Sequence, residues 1–261
     1  MGGLGRWVYK LLQSLVLGGQ VVVRLLRGKI HRRNTLEQMS AVGTESLIIA
    51  LITAAFVGGV FTIQVAKEFI NFGAQQAIGG VLAIALAREL TPVLTAVIVA
   101  GRVGAAFAAE IGTMTVTEQI DALRMLGSDP VDYLATPRVV ACVLMLPLLT
   151  ALAFVTGYTG ALLVSEGLFG ITRQVFLDSG QTFLKPWDLV ASLVKAGVFG
   201  AAIALIGTHW GLATTGGAKG VGQATTSAVV TALLAIFASN FFLSWLLFGD
   251  IGAIAAQSLG F

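Results

Sequence analysis

Charged side chains are scarce in this sequence, yet Arg88, Glu89, Arg102 and Glu110 all fall inside one apolar run, Ala77 to Gly112. Charge in a bilayer-length segment is costly and normally faces a bundle interior or a wet cavity. Three kinds of chemistry suit such residues: gripping a polar group in an apolar surround, relaying ions or protons, and pairing across helices to fix a bundle. An α-helix steps about 100° per residue. With Arg88 at zero, Arg102 falls near about −40°, Glu110 near about +40° and Glu89 near about +100°. The spacing predicts one charged side, provided Pro92 leaves the phase undisturbed. Pairing and cavity roles are both open for Arg102 and Glu110. For Arg88 and Glu89, deeper in the segment, a cavity role is favoured. Ala96, Ala100, Gly104, Ala108 and Gly112 form a row of small residues, and Gly101, Ala105 and Ala109 a second, so this segment is built for close helix approach.

Other chemistries find no foothold. Cys142 is the single cysteine, which excludes an internal disulfide and a thiol metal cluster. His31 and His209 are far apart and lack metal-ligand neighbours, so they read as surface histidines. Lys219 sits in a glycine-rich stretch, but Ala218 precedes it and Gly220 follows, so this is no phosphate-binding loop. Nucleophile–base pairings are absent too. The expectation is a non-enzyme without a cofactor or metal, dependent on another chain for any ATP hydrolysis.

The elements that position these charges follow from composition. The chain is 56% hydrophobic and only 11% charged, with a mean hydropathy of +0.90, where soluble domains carry about 25% charge. The bilayer must be its main solvent. Five apolar segments stand out: Ser46–Ala66, Ala77–Gly112, Val139–Val164, Leu189–His209, which contains Lys195, and Ala224–Phe248. Gly58 and Gly59 loosen the first, which is expected to bend or re-enter. Before it, Arg6, Lys10, Arg24, Arg27, Lys29, Arg32 and Arg33 make up seven of the sixteen basic residues. Leu11 to Val23 is short of the roughly 20 residues a span needs. Residues 1–36 therefore read as a basic amphipathic interfacial segment, and 37–261 as one transmembrane domain. A solvated basic terminus and a cleaved leader are the alternatives, but no small-x-small site follows Val23. The fold class is an all-α membrane protein with an N-terminal interfacial helix and about five transmembrane helices. The basic cluster places the N-terminus in the cytoplasm, with loops 114–138 and 210–222 on the same side.

The 114–138 loop is structured. Thr115 and Glu118 have capping-box spacing. Ile120, Leu123 and Leu126 follow at helical spacing, Gly127 is placed as a stop, and Asp129 caps a second helix with Pro130 at its first position. An apolar stripe on a short helix needs a groove, supplied by the chain itself or, as the loop's features favour, by a partner. Leu123 is the residue at which docking would be tested.

The stretches ARELTPVLTA, AGRVGAAFAAEIGTM, EQIDALRMLGSDP and YLATPR, with GGAKGVGQATTSAVV at Gly216 to Val230, resemble the MlaE-type permeases. These include the trigalactosyldiacylglycerol-type permeases of the chloroplast inner envelope. The likeness covers most of the chain after Leu36. It implies the permease subunit of an ATP-driven ABC transporter of phospholipids or related glycerolipids, acting as a homodimer. A cytosolic ABC ATPase, which binds the ATP, would dock on Glu118, Gln119, Ile120, Asp121, Ala122, Leu123, Leu126 and Asp129. An MCE-domain lipid-binding protein would sit on the outer face. The lipid would enter a cavity at the dimer interface, with Arg88 and Glu89 at its polar end and Arg102 and Glu110 as further polar intramembrane residues. The membrane would be a bacterial inner membrane or a chloroplast inner envelope; no Ser-rich leader is seen, which tilts the expectation to the former. The competing class is an ion-coupled secondary transporter using Arg88, Glu89 and Lys195 as a relay, for which no inverted repeat is visible. A non-transporting membrane scaffold is a third.

Overall fold

The computed structural model describes residues 3–26 and 32–249. These are almost wholly helical, and no strand occurs among the described residues. Among the described residues, five helices are long and apolar enough to cross a membrane: α2 (Arg32–Asn71), α3 (Gln75–Val116), α5 (Val131–Phe169), α7 (Pro186–Leu212) and α8 (Gly217–Phe248). Shorter ones are α1 (Gly3–Leu26), α4 (Gln119–Met125) and α6 (Arg173–Phe183). The apolar stretch of α1, Leu12–Leu25, is too short to span. The chain is thus an all-α, multi-pass membrane protein. Each apolar segment expected from the sequence lies inside one long helix. His31 and the tail beyond Gly249 fall outside the described residues.

No break or re-entrant turn interrupts the first segment. Helix α2 runs unbroken for 40 residues, about 60 Å at 1.5 Å per residue. Its glycines serve contact instead of flexure. A Cβ on Gly58 would stand 2.0 Å from the Gly157 carbonyl oxygen, and one on Gly160 would stand 2.3 Å from that of Ala55. The backbones of α2 and α5 therefore touch. Three π-helical turns also interrupt the regular spacing, at Leu86–Leu90 and Ala100–Gly104 in α3 and at Val131–Ala135 where α5 begins.

Contacts divide the chain into two compact units, and each long helix contributes residues to both. The first unit comprises Met1–Ser46, Ala96–Leu146 and Gly197–Ala238. Here the row Ala96, Ala100, Gly104, Ala108 and Gly112 is buried, whereas Gly101, Ala105 and Ala109 are not. A Cβ on Gly207 would lie 2.9 Å from the Gly104 oxygen, so α7 rides on α3 through that row. The second unit comprises Leu47–Thr95, Pro147–Ala196 and Ser239–Phe261. Ile78, Leu82, Leu86, Leu162, Ile171 and Phe176 form its core. Helix α6 is locked to α3 there, because Gly79 meets the Phe176 backbone and the Gly80 N–H donates to Ser179 Oγ at 3.0 Å.

Candidate functional site

In the second unit, the charges of α3 are organised by a proline. Pro92 has no N–H, so the Arg88 carbonyl four residues earlier loses its helical donor. One side chain repairs the break: Lys195 Nζ, from α7, donates to the Arg88 carbonyl at 2.8 Å. Thr91 Oγ1 adds a second donor, at 2.8 Å, to a Leu86 carbonyl that the Thr91 N–H already serves. Lys195 is 0% exposed. Its ammonium also donates to Glu89 Oε1 at 2.9 Å and to Ser244 Oγ at 2.7 Å. Three donors thus converge on Glu89, since Ser244 Oγ gives its proton to Oε1 at 2.7 Å and Asn240 Nδ2 reaches Oε2 at 2.7 Å. Beside them, Arg88 Nε donates to Asp188 Oδ1 at 2.9 Å, and Asp188 Oδ2 accepts the Lys185 N–H at 2.9 Å. The Phe248 ring lies 4.5 Å from the Arg88 guanidinium and 5.2 Å from the Lys195 ammonium.

Arg88 and Lys195 balance Glu89 and Asp188, so this group is neutral as a whole. The ammonium and both carboxylates are hydrogen-bonded, which makes the group rigid, and among the described residues only Asn240 Oδ1 is buried in it without a partner. Lys195 and Asp188 are its buried anchors, whereas the side chains of Arg88 and Glu89 are 35% and 44% exposed. The accessible edge is therefore a fixed guanidinium beside a fixed carboxylate, which suits a polar group that both donates and accepts. Sequence reasoning named Lys195 only as a relay and missed Asp188, Asn240 and Ser244. The last two, four residues apart in the apolar α8, were the available signal.

The single charged side expected of α3 does not form. In the first unit, Arg102 donates to Ser46 Oγ at 2.9 Å, to the Ala41 carbonyl at 3.2 Å and to Glu45, all on α2. Glu110 accepts from Arg138 Nη2 of α5 at 2.8 Å. Arg138 is buried, donates to the Leu134 carbonyl at 3.1 Å and lies over the Phe107 ring at 5.1 Å. Arg102 and Glu110 thus each pair with a neighbouring helix. The π-turns at Leu86–Leu90 and Ala100–Gly104 break the 100° stepping on which the shared side depended.

The loop between α3 and α5 is as ordered as its sequence suggests, with one correction. Thr115 and Glu118 make no capping box. Thr115 Oγ1 donates back to the Ile111 carbonyl at 2.8 Å and to that of Gly211 at 3.2 Å. Glu118 takes a left-handed conformation, φ 61°, with no side-chain cap. The stop at Gly127 does form. At φ 75° it donates to the Arg124 carbonyl at 3.0 Å, and Ser128 donates to that of Leu123 at 3.0 Å, the two bonds of a Schellman motif. Asp129 Oδ1 accepts the Val131 N–H at 2.9 Å, capping the next helix.

The apolar stripe of α4 is divided. Ile120 is buried against Ile111 and Leu134, and Leu123 packs on that core with Met114 and Leu212. Leu123 is therefore a poor residue for testing docking, because its loss would disturb the chain's own packing. Met125 and Leu126 are 88% and 80% exposed, at the tip closed by the Schellman turn. Glu118, Gln119, Asp121 and Ala122 are also exposed, and Arg124 bridges to Asp121 at 2.8 Å. An open depression of about 400 Å³ lies beside them, lined by Arg124, Gly127, Asp129 and Leu212. Arg24 of α1 donates to Asp129 Oδ2 at 2.6 Å. That hydrogen bond raises the Arg24 pKa and holds the Asp129 carboxyl below the usual carboxylate range.

The sequence model of the family described as Permease MlaE matches residues 35–246. A probable ABC transporter permease of Synechocystis is 62% identical over 252 residues, 97% of this chain and 96% of that protein. The chloroplastic protein TRIGALACTOSYLDIACYLGLYCEROL 1 of Arabidopsis thaliana is 51% identical over 247 residues, 95% of this chain and 71% of its own length. A probable ABC transporter permease of Rickettsia bellii is 38% identical over 249 residues, 94% of this chain and 96% of that one.

Proposed function

The chain belongs to the MlaE permease family, and from that premise we propose that it is the membrane subunit of an ATP-driven ABC transporter carrying phospholipids or related glycerolipids between membranes. The observation that carries this reading is the docking loop. A soluble loop has no reason of its own to hold Met125 and Leu126 bare on a turn closed by two hydrogen bonds. An exposed apolar pair on a stiff mount is what a partner's groove requires. That partner is a cytosolic ABC ATPase, which binds the ATP and delivers its motion through α4. The side carrying the loop and the N-terminus is then cytoplasmic.

Two copies form the membrane core. Helix α8 is the least enclosed of the long helices, and Leu234, Phe237, Phe241 and Trp245 give it an outward apolar stripe for the second copy. The lipid lies in an apolar cavity at that interface, bounded by α2, α3 and α8. Its headgroup meets Arg88 and Glu89, which Lys195 and Asp188 hold in place. An MCE-domain protein receives or supplies lipid on the outer face. As a relay in an ion-coupled transporter, Lys195 would have to break three hydrogen bonds while fully buried, which weighs against that alternative.

The test is copurification of the ATPase with Met125→Asp/Leu126→Asp, together with lipid movement in proteoliposomes. The double variant should insert normally, lose the ATPase and stop lipid movement. Normal recovery of the ATPase, or energised lipid movement by the lone wild-type chain, would overturn the reading.

A further inference from the structure

Arg24 closes the end of α1 (Gly3–Leu26) against the strand of loop that follows the docking helix. Its Nη2 donates to Asp129 Oδ2 at 2.6 Å, and its Nη1 lies 2.9 Å from Asp132 Oδ1. The guanidinium is thus shared by two carboxylates, with only 19% of the side chain exposed. Asp129 is engaged twice over, because its other oxygen caps Val131. One carboxylate therefore ties together the N-terminal helix and the start of α5.

The rest of α1 is seated on the same unit. Ser14, Leu17 and Val21 are buried along one side, and a Cβ on Gly18 would lie 3.0 Å from Leu205 Cδ1 of α7. The other side exposes Leu12, Leu15, Val16, Val22 and Val23, a stripe at i, i+3, i+4 spacing that suits burial at the headgroup boundary. Helix α1 thus has one face for protein and one for lipid, with Arg24 near its end.

Asp129 is three residues beyond Leu126, and three residues span at most about 10 Å. Between them the Gly127 and Ser128 amides are bonded back into α4, so the segment is short and stiff. A displacement of Asp129 must reach Met125 and Leu126 with little slack.

We propose that Arg24 is a positioning residue, a latch through which the lipid-borne α1 sets the attitude of the docking helix toward the ATPase. This role rests on the docking reading above. It makes the membrane surface the reference against which the ATPase is aligned, independent of the charges inside the bundle.

The experiment uses the full chain with its cognate ATPase in lipid nanodiscs, comparing wild type, Arg24→Gln and Arg24→Lys. Hydrogen exchange is followed at the amides of residues 119–130, with lipid moved per ATP hydrolysed in proteoliposomes. In Arg24→Gln, exchange should quicken about twofold to fivefold, the size expected for loss of a partly shielded bridging ion pair. Lipid moved per ATP should drop by a similar factor, while insertion and ATPase recovery stay at wild-type levels. Arg24→Lys, which keeps the charge, should restore most of both. A wild type that couples normally beside an Arg24→Gln unchanged in exchange and coupling would overturn the latch alone. A wild type that binds no ATPase would overturn the docking reading and the latch with it.

Discussion

Replacing Lys195 by Met measures what the buried ammonium is worth. The substitution keeps the side chain's length and apolar stem but removes the charge and its donors. Three acceptors lose a donor: Ser244 Oγ, Glu89 and the Arg88 carbonyl. Glu89 keeps Asn240 and Ser244 but loses its cation. The Arg88 carbonyl, already without a helical donor because residue 92 is proline, loses its replacement. Cutting one member out of a buried pair costs about 3–5 kcal/mol. Glu89 is 44% exposed, which places the loss at the low end, about 3 kcal/mol. In a chain of this size each kcal/mol moves the melting midpoint by about 2–4 °C, so Lys195→Met should melt about 6–12 °C below wild type.

The companion variants are Glu89→Gln and the double replacement. Glu89→Gln leaves an unpaired cation in a fully buried position and should be as damaging as Lys195→Met. The double variant removes both charges at once and should recover a good part of either loss, because the destabilisation comes from the stranded partner. Differential scanning fluorimetry in one detergent, with membrane yield alongside, gives all four corners of the cycle. A Lys195→Met midpoint within about 2 °C of wild type, or single losses that simply add in the double variant, would refute the claim that these groups stand or fall together.

Two further outcomes follow from contacts on the same structure. Gly58→Ala should lower the melting midpoint well beyond Gly59→Ala, because its Cβ meets a backbone oxygen at 2.0 Å whereas the Gly59 Cβ meets nothing nearer than the Val164 methyl at 3.1 Å; overpacking that side chains can absorb costs about 1–3 kcal/mol, and backbone cannot yield as easily. Order in the docking loop should be independent of pH from 7 to 5. Arg24, with Arg124 nearby, depresses the Asp129 pKa, so its contribution is complete above the ordinary aspartate value of about 4 and is lost as pH falls through the lower folded value. Limited proteolysis of the loop at pH 7, 5 and about 2 should show loosening only in the last, and loosening at pH 5 would contradict the assignment.

Much of this architecture was legible because bilayer burial imposes a coarse and reliable pattern. Five runs of apolar residues gave five long helices, and the one row of small residues that is buried had been marked by its spacing. The stop at Gly127 and the cap at Asp129 were also readable, since each depends on neighbours within a few residues. The failures were of another kind. Glycine weakens a helix, so Gly58 and Gly59 alone suggest a bend, but Gly58 is where the α5 backbone, about 100 positions away, comes into contact. Likewise the Thr115 hydroxyl could accept from an amide three residues ahead or donate to a carbonyl, and it donates to the Ile111 and Gly211 carbonyls.

The misplaced charges share a physical cause that the sequence does display. Thr91–Pro92 and Thr136–Pro137 each follow a π-turn, and in both the threonine hydroxyl donates to the carbonyl five residues back, at 2.8 Å to Leu86 and 3.1 Å to Val131. Proline removes a regular donor, a wider turn accommodates its ring, and the threonine hydroxyl joins its own N–H on the same carbonyl. Each π-turn inserts the equivalent of one residue, which sets everything beyond it back by about 100°. A wheel drawn straight through Pro92 therefore puts Arg102 and Glu110 beside Arg88, whereas the helix that forms turns Arg88 and Glu89 to α7 and α8, Arg102 to α2 and Glu110 to α5. The same proline that spoils the wheel also frees the carbonyl that Lys195 binds. In this chain a buried lysine 103 positions away from Pro92 completes a break in the α3 backbone, and the exposed Arg88–Glu89 edge owes its rigidity to that repair.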